Sequence, residues 1–134
     1  MREIKFRVWD KKYLKWFNPE EDSSDGAGLT LGGEIAFAGQ SQFGQINPKD
    51  ENRFVIQQFT GLLDKNGVEI YEGDILQDSL FGDEPPGLYV VEFRVSEWSS
   101  GFAFTSKKNK WNFGGPVDKY LTVIGNIFEN PELI

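Results

Sequence analysis

The sequence predicts an all-β fold, a sandwich or a small barrel of short strands, and three observations support this class. Aromatic residues make up 15% of the chain and are accompanied by 15 glycines, a combination that favours strands joined by tight turns. Apolar and polar residues alternate in short segments bounded by turn residues. Apolar residues never follow a helical period for more than about one turn. The length, 134 residues, fits one domain.

The N-terminal part predicts two hairpins. Residues 2–9 alternate, and we expect one face to carry Ile4, Phe6 and Val8 and the other Glu3, Lys5, Arg7 and Trp9. A polar turn leads from this strand to a second one at residues 13–17. Strands at 29–31 and 34–37 flank Gly32-Gly33, which suits a two-residue turn. The polar stretches between these strands predict mobile loops.

The remaining strands are expected over residues 54–59, 68–71, 74–77, 88–95, 101–105 and 120–128. Asn66-Gly67 is the strongest turn signal and joins the first two of these strands. In the strand over 88–95, the alternation places Tyr89, Val91, Phe93 and Val95 on one face.

Composition excludes several classes of active site. The chain has no cysteine and no histidine, which removes thiol nucleophiles, histidine-based triads and the commonest zinc ligands. We therefore expect no catalytic residue, no metal and no cofactor. The net charge of −7 repels nucleic acid and anionic membranes at long range. The charged N-terminus and the absence of a long apolar run predict a protein that is neither exported nor inserted into a membrane.

Four stretches resemble the YopX family, small proteins encoded mainly by bacteriophages and prophages. They are REIKFRVWD at the start, QFTGLLDKNGVEIYEGDI at 58–75, VVEF at 90–93 and VIGNIFENPELI at the end. The resemblance implies a small SH3-like β-barrel and a phage or prophage origin in the bacterial cytoplasm, and it implies no particular activity. We expect one domain over 1–134, with an N-terminal β-hairpin extension over 1–53 and the barrel over 54–134.

The central stretch carries a cluster of polar and glycine residues that has two interpretations. Carboxylate and amide oxygens close together are typical of a Ca²⁺ or Mg²⁺ site, but the EF-hand spacing is not met. Turn chemistry explains the same residues, with aspartates bonding to the backbone and glycines allowing tight bends. We favour this structural turn motif, which consists of Gly61, Asp64, Asn66, Gly67, Gly73 and Asp74.

A group of lysines beside tryptophans is the candidate binding surface. Its members are Lys107, Lys108, Lys110, Trp111 and Trp98. Lysines next to aromatic rings are used to bind single-stranded nucleic acid, with phosphates paired and bases stacked. The same lysines are also typical of a solvated hairpin loop, and the net charge opposes phosphate binding.

The function that these features favour is non-enzymatic protein–protein contact with a phage or host protein or with a second copy, so we hypothesise an oligomer. Trp9 and Trp98 stand among polar neighbours and are candidates for an exposed aromatic patch. The first alternative is a nucleic-acid-binding accessory protein. A remote alternative is a hydrolase using a carboxylate pair such as Glu69 and Glu72, which requires a raised pKa on one partner.

Overall fold

The regular structure consists of strands, one single-turn helix and one 3-10 turn in the computed structural model, which describes residues 3–17, 27–29, 35–37, 54–79, 86–106 and 112–134. The strands are β1 Phe6–Asp10, β2 Lys15–Phe17, β3 Ala27–Leu29, β4 Ile35–Phe37, β5 Phe54–Leu63, β6 Glu69–Tyr71, β7 Asp74–Asp78, β8 Leu88–Val95, β9 Ser100–Ser106 and β10 Leu121–Asn126. Helix α1 spans Val117–Tyr120, and the 3-10 turn spans Pro131–Leu133. The predicted all-β class is confirmed. The SH3-like form of the barrel stays a prediction.

The chain forms two compact units. The first contains Met1–Lys5 and Gln58–Ile134, and the second contains Phe6–Gln57. Strand β5 begins in the second unit and continues into the first. Neither helical segment in the described part of the chain is long and apolar enough to span a membrane.

The first unit is built on an antiparallel sheet with the strand order β10-β7-β8-β9. Strand β6 pairs with the end of β5 through Leu63↔Glu69 and Phe59↔Tyr71. Apolar side chains from β6, β7, β8, β9 and β10 meet in one buried cluster, which consists of Ile70, Leu76, Val91, Phe104 and Leu121. Five of the predicted strands therefore share a core, as a barrel or sandwich requires.

The second unit contains two hairpins. Strands β1 and β2 pair through Trp9↔Trp16 and Asp10↔Lys15, as the alternating N-terminal sequence predicts. Strands β3 and β4 pair through Leu29↔Ile35, so this hairpin also forms where it is predicted, with β3 beginning at Ala27. The predicted turn at Gly32-Gly33 lies outside the described residues.

Burial in β1 and in the residues before it differs from the half-buried pattern that the alternation predicts. Val8, Trp9 and Asp10 are all buried, whereas Ile4 and Phe6 are exposed. Trp9 packs edge-on against Trp16 across the hairpin, with ring centroids 4.9 Å apart. The Asp10 carboxylate turns back into its own loop, where Oδ1 accepts the backbone N–H of Lys12 at 2.9 Å. Burial at this end of β1 thus does not follow the two-residue period.

The β1–β2 turn contains a leucine in the left-handed backbone region. Leu14 has a φ of 53° and is 71% exposed. This conformation costs a non-glycine residue roughly 1–2 kcal/mol. Little apolar burial offsets that cost here.

We expect Leu14→Gly to raise the free energy of unfolding by up to about 1 kcal/mol, since glycine removes the strain and its greater unfolded-state entropy cancels part of the gain. Urea unfolding measures the difference. Lys11→Gly is the matched control, because Lys11 is exposed in the same turn and lacks a positive φ; this variant should lose stability. Destabilisation by Leu14→Gly as well would show that the leucine side chain itself supports the turn.

Candidate interaction site

The β8–β9 hairpin extends beyond the core of the first unit. Its two strands pair without a register shift from Tyr89↔Ser106 to Val95↔Ser100. Val91 on β8 and Phe104 on β9 are buried in the core. Further along the hairpin, Phe93 is 49% exposed and Val95 is 76% exposed. We call residues 92–103 the arm.

The arm has one apolar and one polar face. Side chains alternate along a strand, so Phe93 and Val95 lie on the same side, together with Phe102, the cross-strand partner of Phe93. The rings of Phe93 and Phe102 meet edge to face, with centroids 5.2 Å apart. On the opposite face, Arg94 forms an ion pair with Glu92 at 3.1 Å. The apolar face therefore reaches beyond the core that would cover it.

The turn at the tip of the arm holds Trp98 in an exposed position. The backbone N–H of Ser96 donates to the Ser99 carbonyl at 2.7 Å. The Ser96 hydroxyl oxygen accepts the backbone N–H groups of Trp98 at 3.4 Å and of Ser99 at 3.1 Å. These bonds fix the backbone of the turn, while Trp98 remains 92% exposed. An anchored turn with an exposed indole has the composition of an interface hot spot.

Asp64 organises the central turn. One carboxylate oxygen, Oδ1, accepts the backbone N–H groups of Asn66 at 2.8 Å and of Val68 at 2.9 Å. The other, Oδ2, accepts the backbone N–H of Val123 in β10 at 2.9 Å. Asp64 is buried, and these three bonds compensate the burial of its charge. The turn after β5 is thereby attached to the last strand.

Asp74 makes a second attachment between the same two parts of the sequence. Its Oδ2 accepts the backbone N–H of Tyr71 at 2.8 Å, and its Oδ1 accepts the side-chain amide of Asn126 at 3.2 Å. The backbone N–H of Ile127 donates to the Gly73 carbonyl at 3.0 Å. The start of β7 and the end of β10 are therefore joined by side-chain and backbone bonds.

The glycines of the motif occupy the bends. Gly61, Gly67 and Gly73 have φ values of 84°, 80° and 83°, a region that favours glycine. Groups of three or more potential metal ligands are absent from the described residues. The contacts of Asp64 and Asp74 are those of a turn motif, since their oxygens face N–H donors.

Glu69 and Glu72 have opposite pKa shifts. The hydrogen bond from Lys5 lowers the pKa of Glu69, and the same bond raises the pKa of Lys5. Burial raises the pKa of Glu72, against a smaller lowering effect of its hydrogen bond from the Gln58 backbone. Glu69 also accepts a hydrogen bond from the Tyr71 hydroxyl at 3.1 Å. The carboxylate with the lowered pKa is thus held by a cation and a phenol.

Four members of the predicted lysine and tryptophan group lie outside the described residues: Lys107, Lys108, Lys110 and Trp111. Trp98 is described and lies at the tip of the arm. Trp9, the other candidate for exposure, is buried. The alternation in β8 predicts that Phe93 and Val95 share one face, but it does not identify them as surface residues. The feature of the sequence that could predict their exposure is their position just before the Ser-Glu-Trp-Ser turn, because a strand can extend past the core near a turn.

We expect Asp64→Asn to lower the free energy of unfolding by about 2–3 kcal/mol, because the amide has one acceptor oxygen where three N–H donors need two. Urea unfolding followed by tryptophan fluorescence measures this loss. Asp118→Asn is the control, since Asp118 is exposed in α1 and should change stability by less than about 0.5 kcal/mol. Equal effects at the two positions would contradict the structural role of Asp64.

We expect Glu72→Gln to be stabilising relative to the native chain at pH 7 and nearly neutral at pH 4. A folded-state pKa above the unfolded value means that the folded chain binds more protons, so stability falls as pH rises through that window. The uncharged amide of Gln does not ionise, so the variant does not lose this stability as the pH rises. Urea unfolding of both proteins at the two pH values provides the test. A lower free energy of unfolding for Glu72→Gln at pH 7 would show that the charged carboxylate is stabilised by its surroundings.

Comparisons with known proteins agree with the sequence resemblance. The model of the family described as "YopX protein" matches residues 5–134. Among solved structures, a protein described as EF1440 from Enterococcus faecalis is 27% identical to the chain, covers 99% of both chains and superposes with a TM-score of 0.62. A search of curated proteins found no match.

Proposed function

The chain belongs to the YopX family, and we propose that it acts as a non-enzymatic protein-interaction module whose contact surface is the arm. We include in this proposal the SH3-like form of the barrel, the phage or prophage origin and the bacterial cytoplasm that the family resemblance implies. The nucleic-acid alternative makes a different prediction for the arm, and one experiment separates it from this proposal.

The observation that carries the proposal is Trp98, 92% exposed on a hydrogen-bonded turn. Tryptophan is enriched among the few residues that dominate binding energy at protein interfaces. Its neighbours Val95 and Phe93 extend the apolar surface away from the core. A patch of this kind supports the proposal that another protein covers this surface.

The chemistry of the chain supports a role without catalysis. There is no histidine or cysteine in the sequence to act as a base or nucleophile. The buried carboxylates Asp64 and Asp74 are engaged with N–H donors, and Glu69 is engaged with Lys5. Glu72 has the raised pKa that a general acid needs, but Glu69 is held in a structural contact, which weakens the hydrolase alternative.

The test replaces Trp98 with the photocrosslinking residue p-benzoylphenylalanine in bacterial cells that express the chain. We expect irradiation to produce covalent protein adducts, because an aromatic residue at this position would lie inside the contact. Mass spectrometry of the adducts then identifies the partner, including a second copy of the chain.

The matched control carries the same crosslinker at Lys119, which is exposed on α1 and outside the arm. Protein adducts at position 98 and few at position 119 would support the proposal. Nuclease-sensitive adducts at position 98 would instead favour the nucleic-acid alternative. Equal, weak crosslinking at both positions would contradict a contact surface on the arm.

A further inference from the structure

The outer edge of β9 has no partner strand over the arm among the described residues. Strand β9 pairs with β8 along its inner edge. On its outer edge, the backbone N–H of Phe113 donates to the Phe104 carbonyl at 2.8 Å, and Asn112 bridges to Thr105. Among the residues that the structure describes, no strand pairs with the outer edge of residues 100–103.

The direction of the Phe104 carbonyl identifies the groups on this open edge. In an antiparallel strand, successive residues direct their N–H and C=O groups to opposite edges. Because Phe104 is bonded from the outer side, Phe102 and Ser100 also direct their backbone groups outward. Residues 100–103 thus present two donors and two acceptors in strand geometry.

The edge lacks the features that usually prevent strand pairing. Charged side chains, proline and bulges protect exposed edges in natural proteins. The β9 sequence, SGFAFTS, contains neither a charge nor a proline. Its pairing with β8 has no register shift. An uncharged, regular edge of this kind is a template for another strand.

Gly101 provides a second, independent observation. A Cβ atom built at this position would meet nothing within 4 Å, and its φ is not among the positive values. Neither packing nor backbone conformation within the chain therefore requires glycine here. Glycine inside a strand weakens it and often marks a close approach by another backbone.

We propose that a second copy of this chain pairs with the outer edge of β9, antiparallel and about a two-fold axis at Gly101. This inference rests on the proposed interaction function and names its partner. The two-fold arrangement places Gly101 opposite Gly101 of the partner subunit as a pair without mutual hydrogen bonds. Ser100 then lies opposite Phe102 of the partner subunit, and each such pair exchanges two backbone hydrogen bonds.

The side chains are compatible with this arrangement. Opposed residues in a sheet point to the same face, so Phe102 continues the apolar face of the arm towards the partner's Ser100. Phe93 and Val95 then belong to one apolar surface shared by both arms. The ion pair of Glu92 and Arg94 lies on the other face.

A second copy suits this edge because β9 carries no charge that would face its own copy. The net charge of −7 repels two chains at long range. At the contact itself, no charged side chain of β9 would face a like charge of the second copy. An isologous pairing also needs a single self-complementary patch. A strand centred on Gly101 provides one.

The test compares Gly101→Glu with its neutral isostere Gly101→Gln by light scattering over a concentration series. The open space around Gly101 accommodates either side chain in the monomer, and far-UV circular dichroism checks the fold. In the dimer, two carboxylates would lie directly opposite each other, and we expect association to weaken roughly tenfold or more. The native chain should approach twice the monomer mass of 15.3 kDa at high concentration. Gly101→Gln adds bulk but no charge at the close approach, so it should associate more weakly than the native chain and more tightly than Gly101→Glu.

Ser100→Pro is a second variant, since it removes an outward N–H that makes no bond to β8, and it should also weaken the dimer. A native chain that stays monomeric, or a Gly101→Glu variant that dimerises as well as Gly101→Gln, would overturn the inference. The crosslinker at position 98 separates this failure from that of the proposed function: if the chain stays monomeric but position 98 still forms adducts with another protein, the interaction module stands and only the self-pairing is wrong.

Discussion

The architecture of the first unit depends on a buried aspartate. Asp64 follows β5, and its carboxylate accepts hydrogen bonds from its own turn and from Val123 in β10. The backbone N–H of Lys65 adds a bond to the Leu121 carbonyl at 3.0 Å. A buried charge is tolerated only when its lone pairs are satisfied, so these donors fix the position of the turn relative to the last strand. The sheet that carries the arm is held in place by that attachment.

The two longest stretches that carry the family resemblance are partners in space. The stretch over 58–75 contains Asp64 and Asp74, and the closing stretch contains their partners Val123 and Asn126. A Cβ at Gly125 would lie 2.6 Å from the Asn130 side-chain oxygen, and that oxygen accepts the Asn126 backbone N–H at 3.2 Å. The closing stretch is thus shaped to present Asn126 to Asp74. These contacts join the two longest stretches that carry the family resemblance.

The arm is different because few of its residues contribute to the core. Its backbone continues the regular pairing of β8 and β9, yet the apolar side chains leave the buried cluster after Val91. An isolated two-stranded hairpin is marginally stable in water, and the arm gains stability by continuing strands whose other ends are anchored in the core. Its exposed apolar face and uncharged edge are therefore carried by strands that are paired without a register shift.

The sequence by itself determined the strands, several of the turns and the absence of cysteine and histidine, because alternation, Asn66-Gly67 and residue content are local properties. It also grouped Phe93 and Val95 with Val91 on one face. Only the tertiary structure decided that Val91 is buried and Val95 exposed, since a strand's pattern does not reveal where the covering elements end. The same limit applies to β1, where Val8 and Trp9 are both buried although they are adjacent in the sequence. The Asp64 turn could be predicted from its sequence, but its bond to Val123, 59 residues away, required the folded chain to bring the two together.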